Sequence, residues 1–363
     1  MRKFLRLACR RWLPAWMLAL GAVSSWAGPY QVGVYYFPGW RDNTPGSPSM
    51  HPWDPIKLYP ERKPLLGWYR EGDDNIMRQQ LDWMAAYGIQ YVVFDWYMGP
   101  PGNTVYLDHA LQAYLRAPER ADVKFSLLWA NHSRFPASLA DWDGLVRYWS
   151  ANYFPRPEFL KIDGHPVLFV FSADMLEAQA KTFGQTTQSL LARAQSIVQA
   201  AGGQSVQFIA GTGASAPFIS ATAKAEGYSG FSAYNYQQGP ADTHMSHSYA
   251  ELDQGYRAQW QLFAQKADLP LIVPATSGWD KRPWGGTTAD RQHDNSESSP
   301  EQFRQHLQAA RARMDSGPWQ SRKYAVICCW NEYGEGSFIE PTEQGRFQYL
   351  EQVKAVFGGG AQR

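Results

Sequence analysis

Two glutamates, Glu332 and Glu335, stand three residues apart in the stretch WNEYGEG (330–336), immediately after a hydrophobic run from Tyr324 to Trp330. Two carboxylates flanking one bond are the usual machinery for cleaving a glycosidic linkage. A protonated one gives its proton to the leaving oxygen, and an ionised one acts as base or nucleophile. The chemistry needs surroundings that push the two pKa values apart. In a strand that simply continued, residues 332 and 335 would point to opposite faces. A bend between them is therefore required, and Gly334 is the residue expected to allow it at low steric cost. The plainer alternative makes Glu335 a solvated loop acid and Glu332 a strand-end residue paired with Arg282 or Lys281.

The elements that must position these acids follow from hydrophobic periodicity. Runs of strand length fall at 31–39, 89–97, 123–131, 166–173, 207–213, 228–236, 270–280 and 324–332. Segments of helical period fall between and after them, at 73–87, 107–116, 139–152, 187–201, 216–226, 249–267, 300–314 and 343–356. Ser299-Pro300-Glu301-Gln302 reads as an N-cap, a proline in the first turn and a glutamine in capping-box register. Evenly spaced, near-continuous apolar strands alternating with helices predict parallel strands covered on both faces. The expected fold is one α/β domain, a (β/α)8 TIM barrel over 28–363, with an open doubly wound sheet as the alternative. The long polar loops at 51–72 and 285–299 are read as lids or binding loops.

In such a barrel the site forms at the carboxyl ends of the strands. Those ends offer Tyr35, Tyr36 and Trp40, then Asp95, Trp96 and Tyr97, then Trp129 and Asn131 with His132 beside them. Later strands contribute Tyr234 and Tyr236 around Asn235, then Trp279, Asp280 and Arg282, and finally Trp330, Asn331 and Tyr333 around Glu332 and Glu335. Rings beside amides and acids suit the apolar faces and hydroxyl edges of sugars.

Composition narrows the partners. A formal net charge of +1, from 34 basic and 33 acidic residues, gives no global field for nucleic acid. The 16 Trp, 20 Tyr and 18 Phe are the outliers. Arg2, Lys3, Arg6, Arg10 and Arg11 precede the apolar stretch WLPAWMLALGAVSSWA, with small residues before a cleavage point after Ala27. Residues 1–27 therefore read as a secretory signal, with an uncleaved anchor as the alternative. A periplasmic or secreted protein without stable membrane insertion is expected, and a monomer. Cys9 would leave with the signal. Cys328 and Cys329 are adjacent in the last strand, where side chains alternate, so no disulfide is expected between them.

The longer stretch WNEYGEGSFIEPT (330–342) resembles the signature Trp/Phe-Asn-Glu-aromatic-x-Glu-Gly-x-x-Ile-Glu of glycoside hydrolase family 99 and the related WbsX-like proteins. The remaining matches are VGVYYFPGW, GWY at 67–69, YGIQYVVFDWY, KFSLLWAN, NYF with KIDGHPV, and VPATSGWDKRP. They run in order over nearly the whole mature chain and stand closer to the WbsX-like group than to the endo-mannosidases. The resemblance implies a (β/α)8 barrel that acts on mannose-containing glycans with retention. It implies that Glu332 deprotonates the sugar's own 2-hydroxyl to form an anhydro-sugar, and that Glu335 protonates the leaving group and then activates water. No cofactor and no metal are expected. Tyr333-Gly334 departs from the Trp-His of animal members.

Two other classes of function remain open on the sequence. A glycosyltransferase would use a nucleotide sugar and often an Asp-x-Asp metal site; Asp141-Trp142-Asp143 fits on paper but opens a helix, where acids favour the N-terminus. A non-catalytic glycan-binding barrel would use the same rings with idle acids. Weaker motifs read as structure: Gly211-Thr212-Gly213 as a strand-end turn, His244 and His247 as loop residues, and Asp163-Gly164 as a turn.

Overall fold

The computed structural model describes residues 30–41, 51–100, 104–117, 122–133, 135–239, 244–286, 291–318 and 323–358. The segment read as a signal, with Cys9, lies outside the described residues.

Among them, eight parallel strands form the barrel: β1 Gln31–Tyr36, β2 Tyr91–Gly99, β3 Lys124–Trp129, β4 His165–Val170, β5 Gln207–Gly211, β6 Gly230–Ser232, β7 Val273–Thr276 and β8 Tyr324–Cys328. Consecutive strands pair from β1 to β6, and β8 pairs with both β1 and β7. Closure comes from Phe231 beside Leu271, where Phe231 N–H donates to the Pro270 carbonyl and Ile272 N–H to the Phe231 carbonyl. The chain is thus a closed (β/α)8 TIM barrel, and the open-sheet alternative falls away.

The helices are α1 Asp74–Ala86, α2 His109–Arg116, α3 Leu139–Asn152, α4 Ala173–Thr182, α5 Thr187–Ala200, α6 Ala223–Glu226, α7 Tyr249–Lys266, α8 Pro300–Ser316 and α9 Gln348–Phe357. Ser299 and Gln302 cap α8 reciprocally, as their spacing predicts. Helix α4 is not foreseen by periodicity, because its first residue, Ala173, falls within the run read as a strand at 166–173; β4 ends at Val170, and Ser172 caps the helix by accepting from Met175 N–H. The expected helix at 216–226 is divided into a π-helical turn, Phe218–Thr222, and the short α6. No described helix is long and apolar enough to cross a membrane.

Strand periodicity sorts side chains into two cores. Tyr35, Tyr91, Val93, Leu128, Phe169 and Val326 fill the barrel. Tyr36, Phe94, Trp96 and Trp129 point the other way, into the layer between strands and helices, which Trp330, beyond the end of β8, also joins. A third cluster, Trp40, Trp53, Ile56, Tyr69 and Tyr333, caps the β1 and β8 loops, with Trp40 stacked on Trp53 at 4.2 Å. The 51–72 segment therefore serves chiefly as this aromatic cap.

The adjacent cysteines depart from expectation. Cys328 and Cys329 form a disulfide, both fully buried. The alternation argument fails because β8 ends at Cys328, so Cys329 no longer follows the geometry of the strand.

Arg62, from the aromatic cap, is fully buried and fastens three loops. Its guanidinium donates to the Asp280 carboxylate, to Glu297 Oε1 at 2.6 Å, and to the Tyr333 and Asp280 carbonyls at 2.8 and 3.1 Å. Removing one partner of a buried ion pair leaves the other uncompensated. Arg62→Met is expected to lower unfolding free energy by about 3 kcal/mol, read by urea denaturation; an unchanged midpoint would show that Arg282, which also pairs with Asp280, carries the loop alone.

Candidate active site

The strand parity that fills the barrel also selects what reaches its mouth. On β2, Tyr91 and Val93 point inward, so Asp95 and Tyr97 do as well, while Trp96 between them points out. Beyond β8, Asn331–Glu332 pairs antiparallel with Ser337–Phe338, a small hairpin that turns the chain back over the barrel. Glu332 lies on its first strand and Glu335 in its turn. Both face one cavity of about 350 Å³, within the usual range of ligand sites. Its walls include Asp95 and Tyr97, His132, Phe171, Tyr234 and Asn235, and the rings of Phe37, Trp279 and Trp284.

The expected bend between the two acids is present, closed by Glu335 N–H donating to the Glu332 carbonyl at 3.2 Å, but the left-handed residue of the turn is not Gly334. Gly336, at φ +70°, is the left-handed residue of the turn; a Cβ there would lie 2.7 Å from the Asp280 nitrogen, whose N–H donates to the Glu335 carbonyl at 2.6 Å. Gly334 instead makes room for an aromatic ring, since a Cβ at this position would run into Trp284, which packs over the turn. Asn331 holds the opposite rim, accepting from Phe37 N–H at 2.9 Å and donating to the Phe37 carbonyl at 3.0 Å.

Three acids share the cavity. The Tyr234 hydroxyl donates to Asp95 Oδ2 at 3.0 Å and stands 3.4 Å from Glu332 Oε1. With one proton it cannot satisfy both. Asp95 Oδ1 and Glu332 Oε2 have no hydrogen-bond partner among the described residues, although Asp95 is 6% exposed and Glu332 4%. Burial, then the charges of Glu335 and Asp95, push the Glu332 carboxyl well above the usual range, against the lowering effect of the Tyr234 hydrogen bond and Lys281. Burial raises Asp95 likewise. Burial pushes Glu335 up to about 7, with Lys281 opposing. The pair is thus set toward sharing protons near neutral pH instead of carrying full charge.

Of the residues expected from sequence, Asp95, Tyr97, Tyr234, Trp279, Glu332 and Glu335 line this cavity. Others are placed elsewhere, each for a visible reason. Tyr36 bonds Gln80 on the helix side, Trp96 donates to Tyr153, and Trp129 packs on Trp142 and Trp149, all consequences of parity. Trp330 is buried in the same outer layer. Tyr35 lies beneath Tyr234 in the barrel, ring centres 5.0 Å apart. Trp40 and Tyr333 belong to the aromatic cap, where the Tyr333 hydroxyl donates to Glu340 at 2.8 Å. Asn131 fastens the β3 loop to Ser172, and Asn331 fastens Phe37. Asp280 and Arg282 pair with each other, and Asp280 pairs also with Arg62; of the two cations expected as alternative partners of Glu332, Arg282 is thus engaged elsewhere and Lys281 is the one whose charge acts on it. Tyr236 lines an adjoining cleft instead, together with Tyr234 and Asn235. Phe37 and Trp284 join the walls without being expected from sequence; Phe37 follows β1 directly, but only the packing of Trp284 on Gly334 identifies that ring.

Asp141 and Asp143 are accounted for at their helix: Asp141 accepts from Ala137 N–H, and Asp143 pairs with Arg193 and Arg147. Among the described residues no group of three or more His, Cys, Asp or Glu could hold a metal ion.

A family model described as Glycosyltransferase WbsX matches residues 58–353, most of the chain. The chain belongs to the WbsX family. No curated protein matches it. Among solved structures, a glycoside hydrolase-like protein superposes with a TM-score of 0.65 at 15% identity, over 91% of this chain and 94% of its own. The family 99 endo-α-mannosidase of Bacteroides thetaiotaomicron gives 0.60 at 14%, over 92% and 97%. A family 1 β-glucosidase from Thermotoga maritima gives 0.51 at 10%, over 91% and 98%. At these identities the WbsX-family chain shares with them a barrel fold, on which many chemistries occur.

An acid whose folded pKa lies above its unfolded value favours the folded state at low pH, and that advantage is lost as pH rises through the folded value. For Glu335 the window runs from its ordinary 4.5 to about 7. Glu335→Gln removes the cost of holding the ionised carboxylate. It is expected to raise Tm more at about pH 8 than at about pH 5, measured by differential scanning calorimetry; an equal shift at both would mean that Glu335 is well hydrated.

Proposed function

We propose that this WbsX-family protein is a retaining glycoside hydrolase acting on α-mannosidic or related linkages of an oligo- or polysaccharide. The observation that carries the reading is one hairpin aiming two carboxylates, three residues apart, into a single ring-walled hollow. Glu335, with its pKa near 7, is the group able to hold a proton at working pH and yield it, which fits a general acid. Glu332 is the base. It takes the proton of the sugar 2-hydroxyl as that oxygen attacks the anomeric carbon, while Glu335 protonates the departing oxygen. Water then opens the anhydro-sugar at the same carbon, giving its proton to Glu335, and Glu332 returns the first proton to the 2-oxygen. Positive charge building at the anomeric carbon is favoured by the surrounding carboxylates in a low-dielectric site. The endo-α-mannosidase of similar fold supports the choice of linkage.

The family's description favours a second reading, glycosyl transfer. It differs in the acceptor: transfer yields a longer glycan from an activated donor, hydrolysis a free reducing end. The ion-paired Asp143 offers such a donor's metal nothing. We include export in the proposal, with cleavage after Ala27; the Cys328–Cys329 disulfide accords with a compartment where disulfides persist.

Purified protein is expected to release oligosaccharides from a mannan or bacterial surface polysaccharide. Glu332→Gln and Glu335→Gln should each lower kcat by about 10²–10⁴-fold, with glycan binding retained. Turnover unchanged in both variants would contradict the assigned roles, and binding without any turnover in the wild type would leave a glycan-binding barrel.

A further inference from the structure

The walls of the acid cavity carry two groups of rings. Tyr97, His132, Phe171 and Tyr234 form one, with ring centres 5.9, 5.2 and 5.9 Å apart in that order. The Tyr234 hydroxyl ties this group to Asp95 and Glu332. Phe37 and Trp284 form the other, 5.5 Å apart, and no ring contact links the two groups among the described residues. Trp284 lies against Gly334, the residue next to Glu335. Base and acid thus each have a ring wall of their own.

The second wall stays partly open. Four large apolar side chains are exposed among the described residues, Leu58, Met175, Leu262 and Trp284, and only Trp284, 37% exposed, lines the cavity. Its position is fixed. A Cβ at residue 334 would collide with the indole, so glycine is what lets the ring settle there. Trp40 flanks it at 6.3 Å, with the ring planes 28° apart. The turn that bears it is held by Trp284 N–H donating to the Lys281 carbonyl at 3.0 Å, by Lys281 N–H donating to Asp294 Oδ1 at 3.0 Å, and by the Arg282–Asp280 pair. A flat ring held in place but uncovered is a preorganised platform. Covering it with the apolar face of a sugar gains burial without first ordering a side chain.

The proposed reaction decides which sugar that is. Glu332 takes the proton of the 2-hydroxyl on the sugar whose anomeric carbon reacts, which places that sugar at the Tyr234 wall. Glu335 protonates the departing oxygen, so what departs lies across the Glu335 turn, toward Trp284. We propose that Trp284 is the platform on which the departing sugar stacks, and that it makes the protein select linkages whose leaving group is itself a sugar. The proposal rests on the glycosidase reading for which sugar departs.

The test uses full-length protein carrying Glu335→Gln, titrated calorimetrically with methyl α-mannoside and with the α-linked mannobioses. At least one mannobiose is expected to bind about tenfold tighter than methyl α-mannoside. Adding Trp284→Ala should erase most of that ratio, and Trp284→Phe, which keeps a ring against Gly334, should retain part of it. The inference is overturned if no mannobiose exceeds the monosaccharide, if the ratio survives Trp284→Ala, or if both ligands weaken equally, as they would were the ring to serve the reacting sugar or only the fold. Should Trp284→Ala fail to fold, Trp284→Phe decides: an unchanged ratio overturns the inference and a smaller one supports it. Wild-type protein that cleaves a mannan while the mannobiose ratio ignores Trp284 would sink this inference and spare the glycosidase reading. A Trp284-dependent ratio with no glycan cleaved would keep the second-sugar platform and sink that reading.

Discussion

Everything at the mouth of this barrel depends on three carboxyl groups being held at one hollow, two of them buried and Glu335 part-exposed, with one tyrosine hydroxyl between Asp95 and Glu332. Water would let each acid ionise independently. Partly withdrawn from it by burial, they ionise less readily and feel one another's charge, and a group with a pKa near 7 can both give and take a proton. The reactivity proposed for Glu335 is thus a property of its enclosure.

That enclosure is built from parts that do no chemistry. Gly336 turns the hairpin and Gly334 lets the Trp284 ring lie over it. Asn331 ties the hairpin to the β1 loop, and Arg62 ties the aromatic cap to the β7 loop through Asp280. Another buried acid, Glu340, accepts from Tyr69, Tyr333 and Gln80 and so engages the cap's hydroxyls. Most of the conspicuous aromatic residues belong to this scaffolding, while a few rings at its inner edge face the site.

Much of the barrel is legible in the sequence because apolar runs of strand length recur evenly, and all eight coincide with observed strands. The acids are legible from spacing alone. Strand parity is also present in the sequence, yet choosing site residues by their nearness to a strand end overlooks it: alternation along β2 separates Asp95 and Tyr97 from Trp96, and it removes Tyr36 and Trp129 in the same way, whereas Trp330 lies beyond the end of β8 and takes the outer layer against the parity of Val326 and Cys328. Other features depend on long-range packing. Asp280 and Arg282 look like site residues until Arg62, more than 200 positions away, is seen to engage Asp280. The disulfide is hidden from this reading because alternation holds only while the strand lasts.

The most direct test of the shared-proton cavity is a carboxyl carbon NMR titration of glutamate- and aspartate-labelled protein. The account predicts two glutamate steps near pH 7, one of which is lost in Glu335→Gln while that of Glu340, raised to about 7 by its own burial, remains, with the Glu332 titration moving down when Asp95→Asn removes a neighbouring charge. Ordinary titration of all three acids, near the values of exposed carboxyls and indifferent to one another's removal, would contradict it.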